Sequence, residues 1–193
     1  MGYTTRTLTE ILSCAKNPLV IASSEIFKNL NRRKGEPAVR SEGNAPFEPS
    51  SIFQVGIVVK SIDETVKFYE EVFGIGPFEI REAHFPTATF YGGEGGYRGK
   101  RAFAKAGPIT FELIELIEGK TIHEAFLKGK GEGLHHLGFE VKDLKRSVEE
   151  AERRGLRVTQ GFTREDGSGF AYLDSDKIGG AIFELIQKPP QKA

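Results

Sequence analysis

The chain repeats itself, and that repeat limits what it can fold into more than any other feature. Residues 54–66, QVGIVVKSIDETV, match residues 136–148, HLGFEVKDLKRSV, at a spacing of 82 residues, so Gly56 falls on Gly138, Val59 on Val141, Lys60 on Lys142 and Val66 on Val148. Phe111-Glu112-Leu113-Ile114 then recurs unchanged as Phe183-Glu184-Leu185-Ile186, at a spacing of 72. The residues lost between the two spacings fall in the first copy's Gly-rich stretch, HFPTATFYGGEGGYRGK. Two matched segments in one order, with the length difference absorbed by one loop, describe a supersecondary unit used twice.

Each copy reads as a strand, a helix and three strands. In the first, 52–59 alternates like a strand, and Ser61-x-x-Glu64 is a capping-box signature that opens a helix with Val66, Tyr69 and Phe73 inward. Gly74 stops that helix. Strands follow at about 78–82, 101–106 and 109–116. In the second copy 134–141 is the strand, Asp143 the cap, Leu144, Val148 and Ala151 the buried stripe, and Gly155 the stop. Strands near 156–161, 169–174 and 181–187 complete it, and 120–128 reads as a short connecting helix. The expected fold class is α+β: two βαβββ modules, about 51–117 and 133–188, forming a curved mixed sheet around a metal cavity.

Residues 1–50 differ from this body. Leu8, Ile11, Leu12 and Ala15 recur at helical spacing, Ser24 is placed to cap a second helix carrying Ile26, Phe27 and Leu30, and GEPAVRSEGNAPFEPSS has the composition of a linker. The segment reads as a helical extension and linker preceding the domain at 51–188. Glu10 and Glu25 are out of keeping with a transit peptide.

Side chains alternate faces along a strand, so Gln54 shares a face with Gly56 and Val58, and Glu112 with Thr110 and Ile114. In the second copy His136 shares a face with Leu134 and Gly138, and Glu184 with Ile182 and Ile186. In each case a polar residue sits among small or apolar ones, whereas a solvated face is polar throughout. Taken alone, an inward Glu is ordinarily a partnered structural carboxylate, and an inward Gln or His a satisfied core group. The repeat changes the reading, because it makes Gln54 equivalent to His136 and Glu112 to Glu184. A pseudo-two-fold pairing of the copies brings all four to one place. Two buried carboxylates repel each other unless a cation joins them, so Gln54, Glu112, His136 and Glu184 are read as one divalent-metal site. The donors are mostly hard, which favours Zn, Ni, Co, Mn or Fe with coordination positions left for substrate.

Composition removes several function classes. Lys+Arg 27 balances Asp+Glu 27, so no net field favours nucleic acid or an acidic membrane. No apolar run approaches the roughly 20 residues of a membrane helix, and no secretory signal is evident. The lone Cys14 fits a reducing cytoplasm, the expected location.

At these residues the chain resembles the vicinal oxygen chelate (glyoxalase/bleomycin resistance/dioxygenase) superfamily, over about 51–188. The segments FQVGIVVKSIDETVKFYEEVFGIGPF, FELIELIEGKTIHEAFLKGKGEGLHHLGFEVKDL and IGGAIFELIQ carry the likeness, and GEGLHHLGFEV is most similar to methylmalonyl-CoA epimerases. The resemblance implies that Gln54, Glu112, His136 and Glu184 bind the metal and that His135 faces the opposite side. It implies Glu184 as the base that takes a proton next to a carbonyl, with Glu112 as its partner, on an acyl-CoA substrate. Such epimerases usually have His where Gln54 stands; Gln-Glu-His-Glu is the set of animal-type glyoxalase I, a lyase. Yet the positions by which that lyase holds glutathione are here Val58, Leu116 and Glu132. A ring-cleaving dioxygenase fits less well, since its iron prefers two His. A protein that sequesters a small molecule without turnover is the reading from another class. The strand near 101–105 offers Arg101 and Lys105, read as a solvated edge in preference to a grip on an acidic substrate, and GGEGGYRG reads as a flexible lid or loop. A homodimer is expected from the resemblance alone.

Overall fold

In a computed structural model of the protein the described residues are 52–177 and 179–190; the expected helical extension and linker, 1–50, lie outside them. The first module runs β1 (Ile52–Val59), α1 (Ile62–Phe73), β2 (Glu79–Phe85), β3 (Thr89–Phe90), β4 (Gly93–Glu94), β5 (Gly96–Ala106) and β6 (Ile109–Lys120). Helix α2 (Ile122–Lys130) leads into β7 (Gly133–Glu140), α3 (Leu144–Arg153), β8 (Val158–Thr163), β9 (Gly169–Leu173), a 3-10 turn (Ser175–Lys177) and β10 (Ile182–Gln187).

All ten strands join one curved mixed sheet, a half-barrel, in the order β2-β5-β6-β1-β7-β10-β9-β8-β3-β4. Within each module the first and last strands are parallel, β1 with β6 and β7 with β10. The modules meet where β1 and β7 pair antiparallel, which is the pseudo-two-fold relation that the repeat implies.

The helices are held to the sheet in the same way twice. Ser61 Oγ accepts from the Glu64 amide and Asp143 Oδ1 from the Arg146 amide, each satisfying an N–H that a helix start leaves unpaired. The first amide of each helix is then taken by a side chain from that module's last strand: Ile62 N–H donates to Glu115 at 2.7 Å, and Leu144 N–H to Gln187 at 2.7 Å. Glu115 and Gln187 are themselves equivalent in the repeat. Gly74 ends α1 in the left-handed region at φ 63°, where only glycine sits without strain.

Each helix covers a small core on the outer face of the sheet. Val59, Ile62, Ala102 and Leu113 form one, with Val66 and Tyr69 against it; Val141, Leu144, Ala151, Ala171, Leu173 and Leu185 form the other, with Val148. Leu113 and Leu185, matched in the repeat, are each sealed from solvent, a burial that stabilises by about 1.5–3 kcal/mol apiece. Phe73 departs from expectation. It is 60% exposed, resting edge-on against Phe68 and Tyr69 because it lies in the last turn, beyond the sheet's reach.

The stretch expected to be a flexible lid or loop is built instead as an extended hairpin. Beyond Phe85 and Tyr97 it continues as β3 and β4, and β3 pairs with β8 of the other module through Thr89–Gly161 and Phe90–Gln160. One arm of the first module thus crosses to the far edge of the sheet. Inside the curve, Phe85, Tyr97, Phe170 and Tyr172 pack with Ala83, Ala88 and Ile122 into a third, largely aromatic core.

Candidate metal centre

The four central strands, β6-β1-β7-β10, set the site by register. Gly56 of β1 lies between Glu112 of β6 and His136 of β7, and Gly138 of β7 lies between Glu184 of β10 and Gln54 of β1. Each glycine is a bare place over which a neighbour's side chain lies. A Cβ at Gly56 would stand 1.8 Å from His136 Cε1, and one at Gly138 would stand 2.9 Å from Gln54 Cβ. The matched glycines of the repeat therefore make room for its matched polar residues.

All four expected ligands come together. His136 Nε2 lies 3.0 Å from Glu184 Oε2 and 3.4 Å from Glu112 Oε2. Gln54 Nε2 donates to Glu112 Oε2 at 2.7 Å and lies 3.4 Å from Glu184 Oε2 and 3.5 Å from His136 Nε2. Burial is nearly complete, with Gln54 7% exposed and Glu112, His136 and Glu184 at 1% or below. Donor atoms of Glu112, His136 and Glu184 all fall within 4.8 Å of one another, a spacing that suits ligands of a single ion. Two carboxylates, an imidazole and an amide bearing an acceptor oxygen suit a divalent cation of intermediate hardness. Glu112 turns Oε2 toward Gln54 and His136, so the set fits a cation in the chemistry of its donors.

Arg101 is placed otherwise than expected. It does not lie on a solvated edge; its side chain is 13% exposed and Nη1 stands 3.1 Å from Glu112 Oε1. Arg101 Nη2 donates to the Tyr97 hydroxyl at 2.7 Å, and the guanidinium lies 4.9 Å from the Phe85 ring centre and 5.6 Å from that of Phe170. Lys105 does stay in solvent, bonded to Thr110 Oγ1. Ala102 and Ala104 are buried, Ala102 beneath α1, so alternation along β5 turns Arg101 into the curve; Lys105 shares that face but lies at the strand's end. The carboxylates thus already have a cation. Arg101 holds Glu112 below the usual carboxylate range against the opposing effect of burial. Burial works against the charge on His136 too, yet the two glutamates push its pKa up to about 9. Repulsion between the carboxylates is therefore relieved by Arg101 and a protonated His136, and the argument for a metal rests on donor geometry.

His135 is a second correction. Alternation puts it on the face opposite His136, but β7 has a bulge between the pairs Gly56–His136 and Ile57–Leu134. The extra residue turns both imidazoles inward. His135 Nδ1 lies 3.1 Å from His136 Nδ1, and both rings touch Tyr172. His123, from the start of α2, packs on His135 at 4.8 Å between ring centres. Burial first, then neighbouring positive charge, keeps His123 and His135 well below the ordinary histidine value, so both stay neutral. Tyr97 and Tyr172 complete the wall as neutral phenols, burial raising Tyr97 to about 12. Sequence reasoning did not reach Tyr97, His123 or Tyr172 as neighbours of the site, because only three-dimensional packing brings them there.

The sheet also leaves a groove of about 340 Å³, lined by Gly76, Pro77, Glu79, Phe103, Ala104, Lys105 and Thr110. Phe103 is the strand partner of Glu112, and Thr110 of Gln54.

Comparison with known proteins agrees with this architecture. The profile described as Glyoxalase/Bleomycin resistance protein/Dioxygenase superfamily matches residues 53–172. An uncharacterised protein of Bacillus subtilis (strain 168) is 26% identical over 135 residues, 69% of this chain and 89% of that protein. A lactoylglutathione lyase of Arabidopsis thaliana is 29% identical over 143 residues, 72% of this chain but 43% of the lyase, so the chain spans less than half of that relative. Among solved structures, a methylmalonyl-CoA epimerase of Streptomyces coelicolor in complex with 2-nitronate-propionyl-CoA superposes with a TM-score of 0.58 and 21% identity, over 75% of this chain and 99% of that one, a likeness of fold. No helix among the described residues is long and apolar enough to cross a membrane.

Proposed function

Since the chain belongs to the glyoxalase/bleomycin resistance protein/dioxygenase superfamily, we propose that residues 51–188 form a divalent-metal-dependent enzyme that removes a proton next to a carbonyl, an epimerase of methylmalonyl-CoA-like acyl thioesters. The observation that carries this reading is the convergence of Glu112, His136 and Glu184 within 4.8 Å from duplicated halves, with the Gln54 amide hydrogen-bonded to Glu112 beside them. A bound divalent cation would supply Lewis-acid stabilisation where negative charge develops on the substrate oxygen.

The chain's own residues divide the remaining work. Among the described residues Glu184 is the carboxylate without a guanidinium on it; its ion pair there is with His136, whereas Glu112 also bears Arg101. Glu184 therefore takes the proton from the substrate carbon, and the buried aromatic wall of Phe85, Phe170 and Tyr172 keeps water from that carbanion. The groove lined by Phe103, Lys105 and Thr110 would take the thioester's tail.

One observation favours a second reading. Arg101 keeps Glu112 anionic, which makes it a poor proton donor on the opposite face, and a glyoxalase I-like lyase moves its proton between adjacent carbons with a single carboxylate. Both readings are tested together in deuterated solvent, with methylmalonyl-CoA beside the hemithioacetal of glutathione and methylglyoxal. Deuterium at the acyl α-carbon, lost at least ~1000-fold in Glu184→Gln at saturating cation, supports the epimerase. Conversion of the hemithioacetal alone would transfer the assignment to the lyase. Purified protein that holds no stoichiometric metal and turns over neither substrate would leave a sequestering protein.

A further inference from the structure

We propose that His135 is the positioning residue of His136: its Nδ1 accepts the Nδ1–H of His136 and so fixes that ring with the Nε2 lone pair turned to a cation. The inference rests on the metal-site reading above and assigns the residue that orients one of its ligands. The two Nδ1 atoms stand 3.1 Å apart, a hydrogen-bond distance that admits one proton between them. On the far side of the His136 ring, Nε2 lies 3.0 Å from Glu184 Oε2 and 3.4 Å from Glu112 Oε2. An imidazole that ligates beside those carboxylates does so through the Nε2 lone pair, which leaves its proton on Nδ1. His135 must then accept at Nδ1, and its own proton goes to Nε2.

Packing gives no other reason for an imidazole at this place. The His135 ring is 3% exposed and walled by aromatic rings, Phe126 at 5.0 Å, His123 at 4.8 Å and Tyr172 at 5.7 Å between centres. Its Nε2 is buried with no hydrogen-bond partner among the described residues, so the side chain carries the cost of an unmet polar atom. A phenylalanine would suit those walls without that cost, but it has no acceptor for His136. The backbone too is shaped for the contact. Neighbours on a regular strand face opposite ways, and the bulge between the pairs Gly56–His136 and Ile57–Leu134 brings the two rings to one side. Metal-binding histidines ordinarily donate their second N–H to a carboxylate, a carbonyl or water. Here an imidazole serves, which steadies the ring without adding a negative charge beside Glu112 and Glu184.

The test ranks two substitutions and reads tautomers. Asparagine places its amide oxygen close to where His135 Nδ1 lies, whereas phenylalanine keeps the ring packing and offers no acceptor. Zinc affinity, measured by competition with a chromogenic chelator, is expected to fall about tenfold or more in His135→Phe and to stay within about threefold of wild type in His135→Asn. A purely structural role predicts the reverse order, since asparagine loses the ring contacts that phenylalanine keeps. The chain has four histidines, so long-range proton–nitrogen NMR spectra of the zinc-loaded wild type resolve each ring, and that readout needs no variant to fold. His136 is expected with zinc on Nε2 and its proton on Nδ1, and His135 with its proton on Nε2. A His135→Phe protein that binds zinc as tightly as wild type, or a proton on His135 Nδ1 in the zinc complex, overturns the inference and leaves the metal site standing. A His136 Nε2 signal that does not respond to zinc removes the metal-site reading itself, and this inference with it.

Discussion

At the scale of single residues, two glycines show how the site is made. Gly56 and Gly138 occupy equivalent places in the repeat, yet they are not equally tight. A Cβ at Gly56 falls inside the His136 ring, with three ring atoms at 1.8–2.3 Å, and the buried imidazole already has His135 and Tyr172 packed edge-on against it. At Gly138 the overlap is far shallower: the nearest atom is Gln54 Cβ at 2.9 Å, followed by Ile186 Cδ1 at 3.3 Å, which can turn aside. Gly56→Ala is therefore expected to expel the His136 ring, costing about 3 kcal/mol and removing stoichiometric metal. Gly138→Ala should cost less and retain metal with weakened affinity. Urea unfolding and elemental analysis of the two variants side by side check the order; a Gly56→Ala protein that keeps its metal at wild-type affinity would break the account.

At the scale of elements, what local pattern encodes was legible and what distant pairing decides was not. The caps Ser61 and Asp143, the stops Gly74 and Gly155, and the buried stripe Leu144, Val148 and Ala151 all follow from spacing within one turn or two. The convergence of Gln54, Glu112, His136 and Glu184 was legible because the repeat supplies long-range information that a single element lacks. The bulge at His135 was not, since it exists only relative to Gly56 across the strand pair. Nor was the crossing of β3 to β8, because residues 84–100 carry five glycines and no alternation that names a partner. That hairpin has a consequence. The four ligand positions are almost closed to solvent, while the tip at Tyr91 is 64% exposed and held to β8 by few contacts, among them Tyr91 N–H to Thr159 O at 2.7 Å. Segments anchored so lightly open first. Thr89 and Gly161 are strand partners, so cysteines there, in a Cys14→Ser background, are placed to cross-link the hairpin to β8. The oxidised protein is expected to lose metal to a chelator at least tenfold more slowly than the reduced one, followed by absorbance of the chelate. Equal rates would send the route past Phe103 and Thr110 instead.

At the scale of the whole molecule, the buried histidines make stability depend on pH in opposite senses, and a cation should erase one of them. His136 has its folded pKa raised from 6.5 to about 9 by Glu184 and Glu112. In metal-free protein its contribution is fully present below 6.5 and is lost as pH climbs through about 9, a change of about 3 kcal/mol at most. His123 and His135 are held neutral by burial, with folded values well below 6.5. For them the unfolded chain binds the extra protons, so stability falls as pH drops below 6.5. Glu112, depressed by Arg101, adds to that acid-side loss below about 4.5. Metal-free protein should thus be most stable close to pH 6.5 and decline on either side. With saturating zinc the alkaline decline must disappear, because ligation uses the neutral imidazole and a rising pH then favours the bound state. Urea midpoints at pH 5.5, 6.5, 7.5 and 9, each in chelator and in zinc, make the comparison. If the two series run parallel from pH 6.5 to 9, His136 is not giving up its proton to a metal, and the four converging side chains are a structural polar cluster balanced by Arg101.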